Sequence, residues 1–310
     1  MTVSVYLPML LSLLLAGLSR PLARLLSPRT ATPALVAAAG LAAAASTWGL
    51  LLLAATLLRK TPPVTEHATR YSLVVAEPVP GMVAVAAAAI LAIGLYRLAV
   101  TVRGRISVHQ GLRGLCDRAA AELVVVAARQ PHAIAVPGRL RRPGRPRRPG
   151  HILVTSGMLA ALADDERRVV LAHERAHLRG GHSWQHAVVD AAAAVNPLLR
   201  PARDAVAFLL ERCADEAAAE TVGSRALAAR SLARAALAST AAERAEPLAF
   251  QRLAVTTRVA ALQAPPPPNR GMIAIAVVML GVATALAAGD ATLEFVEFVE
   301  RFLPGAPTVL

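Results

Sequence analysis

Aromatic residues make up only 3% of this 310-residue chain. A soluble core is normally built with more of them and with fewer long apolar runs. Cysteine is nearly absent too. Cys116 and Cys213 form no C-x-x-C pair, which excludes a disulfide framework and reads as two reduced thiols. Lysine is scarce, so the net charge of +13 is carried almost wholly by arginine. The first apolar run has no basic residue before it and no clear A-x-A site after it, which argues against a cleaved signal peptide and for a retained anchor. What is abundant is aliphatic: 55% of residues are hydrophobic and the mean hydropathy is +0.51. These features predict an integral membrane protein rich in Ala and Leu.

Four apolar stretches approach the roughly 20 residues that a span requires. They run over about 3–18, 34–58, 79–102 and 272–288. A basic excess can mark a nucleic-acid binder. In a membrane protein it marks cytoplasmic segments, and direct nucleic-acid binding is the weaker reading here. Residues 103–270 hold 25 Arg against 14 Asp plus Glu, whereas Asp290, Glu294, Glu297 and Glu300 follow the fourth span. The bias places 103–270 in the cytoplasm and both termini outside. The expected layout is three spans in 1–102, a cytoplasmic domain over 103–270, and the fourth span with a short tail over 271–310. The phrase "EFVEFVERFLP" reads as a short amphipathic helix on the outer surface. The Arg/Pro/Gly-rich stretch 138–150 reads as a solvated loop that breaks regular structure.

Within the middle segment, "HILVTSGML" suits a short strand over His151 to Ser156, ended by Gly157. Asp164 and Asp165 then announce a helix, and Gly180-Gly181 stop it. That helix of about four turns carries His173, Glu174 and His177 in the pattern H-E-x-x-H. Histidines at i and i+4 share one helix face. Neutral imidazoles are zinc ligands, and a catalytic zinc keeps three protein ligands plus an exchangeable water. A carboxylate beside the first histidine can take a proton from that water without being a ligand.

A third ligand is needed, and the spacing leaves alternatives. The H-E-x-x-H-x-x-G-x-x-H scheme meets Gly180, but position 183 is Ser and His182 falls one residue short. His182 and His186 read as polar neighbours, and Asp190 as a weaker alternative. A later helix, starting near Asn196-Pro197 and stopping at Gly223, carries Glu211 and Asp215 on one face. Glu211 would be a ligand, and Asp215 would orient a ligand histidine. Cys213 lies about 200° around that helix from Glu211, facing away.

The runs "ILVTSGMLAALADDERRVVLAHERAHLRGGH", "NPLLRP" and "ERCADEAAAE" resemble the integral-membrane zinc peptidases of the BlaR/MecR type. They are similar, more distantly, to the HtpX/Ste24-type membrane peptidases, which share H-E-x-x-H with a later E-x-x-x-D. The resemblance implies a mainly α integral membrane protein of four transmembrane helices, with a zincin-like, helix-dominated α+β metallopeptidase domain between spans three and four. It implies Zn2+ held by His173, His177 and Glu211, with Glu174 as catalytic base and Asp215 orienting a ligand. It also implies that the strand with Ile152, Val154 and Ser156 binds substrate in extended form. The substrate would be a protein or peptide, such as a transcriptional repressor cut at the inner face of the plasma membrane. Sensor members carry a large domain after their last span. Only about 20 residues follow it here, so a β-lactam receptor role is not expected. General membrane-protein quality control, or a non-catalytic membrane scaffold, are the alternatives.

Overall fold

The computed structural model describes residues 5–57, 79–116, 121–138, 149–242, 248–265, 268 and 270–302. All of the loop 59–78, most of the Arg-rich stretch 138–150 and the last eight residues lie outside them. The elements are α1 (Leu7–Leu25), α2 (Pro28–Ala55), α3 (Gly81–Cys116), β1 (Leu123–Val126), β2 (Ala133–Val136), β3 (His151–Thr155), α4 (Ser156–Ala161), α5 (Asp164–Arg179), α6 (His182–Val195), a 3-10 turn (Pro197–Leu199), α7 (Arg200–Val222), α8 (Arg225–Ala242), α9 (Leu248–Gln263) and α10 (Gly271–Phe302).

Helices α1, α2, α3 and α10 are each long and apolar enough to cross a membrane. Their outward faces carry Leu10, Leu13, Val85, Ile90, Ile93, Ile275, Met279 and Leu286, all exposed. A row of exposed aliphatics without polar relief suits lipid. Hydroxyls on these helices are satisfied locally, as Ser12 Oγ donates to Pro8 O at 2.7 Å and Thr32 Oγ1 to Pro28 O at 2.7 Å. Helix α2 is the central one. Its alanines (Ala31, Ala34, Ala38, Ala39, Ala42 and Ala43) are buried, which lets neighbours approach closely. At the crossing with α10, a Cβ on Gly281 would stand 2.8 Å from Ala38 Cα. Further along the same pair, Trp48 Nε1 donates to Thr292 Oγ1 at 2.7 Å. Both contacts advance together along the chain, so α2 and α10 run parallel.

The structure moves several expected boundaries. The first helix continues past Leu18 to Leu25 with Pro21 inside it, and the second begins at Pro28, a favourable first-turn position for proline. The third does not stop near residue 102 but runs 36 residues to Cys116, about 54 Å at 1.5 Å per residue. The expected separate amphipathic helix at 294–304 is instead the end of α10, which is continuous from Gly271 to Phe302.

The α6–α7 hairpin penetrates the bundle of apolar helices. Val189, Ala192, Leu199, Ala202, Ala205, Val206, Leu209 and Leu210 share one core with α1, α2 and α10. A Cβ on Gly94 of α3 would meet Val195 O at 3.1 Å. At the tip, buried Asn196 donates to Ser12 Oγ at 3.1 Å and Ser46 Oγ at 3.0 Å, and its carbonyl accepts Leu198 N–H at 3.1 Å. The tip thus caps the 3-10 turn, as expected of Asn196, and also ties α1 to α2. Pro201 delays α7 to Arg200, and Gly223 ends it with φ 71.

The small sheet has the order β1-β3-β2, with β1 parallel and β2 antiparallel to β3. This corrects the expectation for the substrate strand. β3 is central, with both edges paired and Ile152 and Val154 essentially fully buried. Ser156 falls in the first turn of α4, where its hydroxyl exchanges hydrogen bonds with Ala128. None of the three offers a free edge to a peptide. The edge strand that packs against α5 is β2.

Candidate active site

Helix α5 is fixed at its start by Glu166, whose Oε2 accepts Ala163 N–H at 2.9 Å. Arg234 of α8 holds the same carboxylate at 3.0 Å. Asp164, Asp165 and Glu166 fill the first turn and Arg179 the last, each on the favourable end of the helix dipole. Val169 and Ala172 pack against Ala218 and Ala219 of α7 and Ala228 and Ala229 of α8. This packing sets the face that carries the histidines opposite the face of α7 that carries Glu211.

His173 Nε2 and His177 Nε2 are 3.1 Å apart. Glu211 Oε2 is 3.6 Å from the first and Glu211 Oε1 is 3.5 Å from the second. These three side chains form a group with donor atoms positioned to hold a metal ion. Ligands about 2.0–2.1 Å from a tetrahedral zinc lie about 3.3 Å from one another. The observed triangle has edges of that size, so the donor set fits the ion that the residue types call for. Asp190 is not among them, since Arg105 of α3 holds it at 2.5 Å. Cys213 faces away, 3.7 Å from Thr32 Oγ1 on α2.

Each histidine is oriented through its other nitrogen. His173 Nδ1 donates to Asp215 Oδ1 at 3.1 Å. His177 Nδ1 lies 2.8 Å from His182 Nδ1, so buried His182, one residue off the expected ligand spacing, fixes the second imidazole. Gly180 and Gly181 do more than stop the helix. A Cβ at Gly180 would stand 2.4 Å from His182 Nε2. Gly181, at φ 61, turns the chain into α6.

The electrostatics separate the two histidines. Burial opposes charge on His173, but its bonds to Asp215 and Glu211 overcome this and raise its pKa to about 10. Burial and the neighbouring charge on His173 lower His177 to about 3. Burial likewise lowers His182 to about 4, so it is a neutral acceptor for the His177 N–H. Glu211 is held well below the ordinary carboxylate range, because bonding to His173 and the charge of Arg258 outweigh its desolvation. Glu174 moves the other way: burial raises it, against the pull of His173 and the Ala135 N–H of β2. A raised carboxylate suits a proton acceptor near neutral pH.

Arg258 of α9 was not singled out by the sequence. Its Nη1 is 2.8 Å from Glu211 Oε2, and its Nε and Nη2 grip Asp215 at 2.7 and 2.6 Å. Arg258 is one of many arginines in the chain, 47 residues beyond Glu211 on a helix with no motif. The chemical reason for it is that a carboxylate as buried as Asp215 needs a cation.

Residues 124–200 match the family model of peptidase family M48. No curated protein and no solved structure matches the chain. The matched segment contains His173, Glu174 and His177 and ends before Glu211, Asp215 and Arg258. Over residues 124–200 the chain is therefore similar to peptidase family M48, a family of metallopeptidases.

Proposed function

We propose that the protein is a membrane-embedded zinc endopeptidase with His173, His177 and Glu211 as metal ligands and Glu174 as general base. The observation that carries this reading is the Nε2–Nε2–carboxylate triangle with a raised carboxylate one residue from its first corner. When bound, the ion supplies Lewis acidity to the scissile carbonyl and acidifies a water molecule. Glu174 accepts the proton of that water at its carboxylate and delivers it to the leaving amine. Asp215 and His182 hold the two imidazoles with Nε2 turned inward. Arg258 keeps Glu211 and Asp215 ionised. The substrate backbone pairs with the open edge of β2, which Glu174 already faces through Ala135.

Three spans within 1–102, a peptidase domain over 103–270 and the fourth span in 271–310 remain our layout. The parallel run of α2 and α10 supports it, because spans two and four of a serial four-span chain cross in the same direction. The arginine excess in 103–270 puts the site at the cytoplasmic face of the plasma membrane. The substrate is a cytoplasmic or membrane-proximal protein, with a transcriptional repressor as the favoured type.

Glu174→Gln tests the mechanism. The variant should keep stoichiometric zinc and lose about 10²–10⁴-fold in cleavage rate. Unchanged proteolysis would overturn the assignment. Comparative proteomics of a strain carrying the variant should show one accumulated target. Broad accumulation of damaged membrane proteins would instead indicate quality control, and an absence of bound zinc in the native protein a scaffold.

A further inference from the structure

Two charged side chains of opposite sign lie in the apolar depth of the bundle. Ser46 is the middle residue of the charge-free run 34–58 in α2, so its level marks the centre of the membrane. Buried Asn196 bonds Ser46 Oγ, and Gly94 of α3 packs against Val195 O beside it. Arg97 follows Gly94 by three residues, which sets it about 4.5 Å to the cytoplasmic side of that level. On α10, Gly281 crosses Ala38 of α2. Asp290 stands nine residues further out, beside Thr47 of α2 and about 1.5 Å beyond Ser46. In the sequence Asp290 falls just past the fourth apolar stretch, but the packing puts it within the span Gly271–Val296.

Neither charge is met within the chain. Arg97 is half-buried and donates from Nη2 to Ala193 O of α6 at 3.2 Å, one use of five donors. Asp290 is exposed and has no hydrogen-bond or ion-pair partner among the described residues. Asp190, by contrast, is paired with Arg105. A bare charge at this depth is costly, and opposite charges in spans pair with one another. The two also have matching surroundings. Ile93 and Val100 stand four residues before and three after Arg97, and Leu286 and Leu293 four before and three after Asp290. All four are exposed, so each charge is flanked by an open aliphatic helix face.

We propose that the chain self-associates in the membrane, with Arg97 of one copy paired to Asp290 of another. Every copy inserts in the same direction, so the two charges meet at depths about 6 Å apart, a step that the long arginine side chain covers. The chain itself supplies both halves of the complementary pair. The contact forms in hydrocarbon, where no water competes for either group. Because the same guanidinium bonds Ala193 O, the contact reaches α6, the helix that begins at His182. The inference rests on the four-span layout and not on the peptidase chemistry.

Full-length copies carrying donor and acceptor fluorophores are co-expressed, and energy transfer between them is measured in membrane vesicles over a range of protein densities. Native copies should show transfer that saturates with density. Asp290→Asn, which removes the charge at constant size, should weaken the association about tenfold. Arg97→Asp alone and Asp290→Arg alone should each give no specific transfer, because like charges then face each other. When one variant carries the donor and the other the acceptor, transfer should return, since each then meets the opposite charge on the other. That rescue in trans separates a lost contact from a lost fold. No specific transfer in the native protein, undiminished transfer in Asp290→Asn, or no rescue in the mixture overturns the proposal. The layout is tested separately with Asp290→Cys in right-side-out vesicles treated with a membrane-impermeant maleimide. Position 290 should stay unlabelled. Labelling would put it in water and overturn the depth on which layout and pairing both rest, whereas no labelling together with no transfer overturns the pairing alone.

Discussion

At the scale of single residues, the site depends most on Arg258, a buried cation. Its guanidinium is the counter-charge for Asp215, only 5% exposed, and for Glu211. Removing one partner of a buried ion pair leaves an uncompensated charge, at a cost of about 3–5 kcal/mol. Arg258→Gln should therefore lower the thermal midpoint strongly and weaken zinc binding, because Asp215 and Glu211 are then no longer anchored beside His173. Arg258→Lys should recover part of the loss but not the two-pronged grip on Asp215. Zinc content and thermal unfolding of the two variants check this; equal behaviour would mean that the bidentate contact is immaterial.

The same residues set a pH dependence. Without metal, His173 keeps its proton up to about pH 10, while His177 is neutral above about pH 3. Between pH 6 and 9, binding the ion must expel one proton, from His173. Apparent zinc affinity should rise about tenfold per pH unit in that window. Calorimetry in buffers of different ionisation enthalpy should count about one proton released per ion. The sign for stability is opposite. A raised folded-state pKa stabilises the metal-free protein fully below the unfolded value of about 6.5. That contribution is lost as pH climbs through about 10.

At the scale of elements, the helices were legible where a local rule governed them. The capping signals around Asp164, the glycine stop after α5 and the Asn196 turn are local, and they appear within a residue or two of where the sequence places them. The metal-site residues were nominated from the H-E-x-x-H and Glu211/Asp215 spacings together with the family resemblance, and the fold brings His173, His177 and Glu211 together. What local rules could not show is partnership across elements. β3 reads as an ideal strand because it is apolar on both faces, and that same composition makes it the middle of the sheet. Arg258 was hidden because its role depends on which helix packs beside which. Asn196 shows the difference well. Its capping role could be read, but its bonds to Ser12 and Ser46 could not. Asn196→Leu should leave the serines satisfied by their own helices, since Ser46 also bonds Ala42 O, while orphaning Leu198 N–H. A loss of about 1–3 kcal/mol is expected, measured as a lower thermal midpoint with the zinc stoichiometry unchanged.

At the scale of the whole molecule, the peptidase segment and the spans are one packed body. The segment 103–270 reads in sequence as a cytoplasmic domain bounded by spans, which suggests a unit that could be cut out. The packing says otherwise. Val189, Ala192, Leu199, Val206 and Leu209 bury their side chains in the same core as Leu15, Leu35, Ala39 and Val277 of the apolar helices. Arg97 and Arg105 of α3 reach across to Ala193 O and Ser183 O on α6. Helix α7, which supplies Glu211, is therefore positioned at one end by α5 and at the other by α1 and α2. A fragment of residues 103–270 would keep His173 and His177 on their helix but expose the aliphatic face of the α6–α7 hairpin, where burying a Val or Leu side chain is worth about 1.5–3 kcal/mol. It should partition into detergent or aggregate, and bind zinc far more weakly than the full chain. A soluble, monomeric fragment with full zinc affinity would show that the spans only anchor the site. The expected result means that they help to build it, and that a change in the spans can reach Glu211 through α7 without crossing any loop.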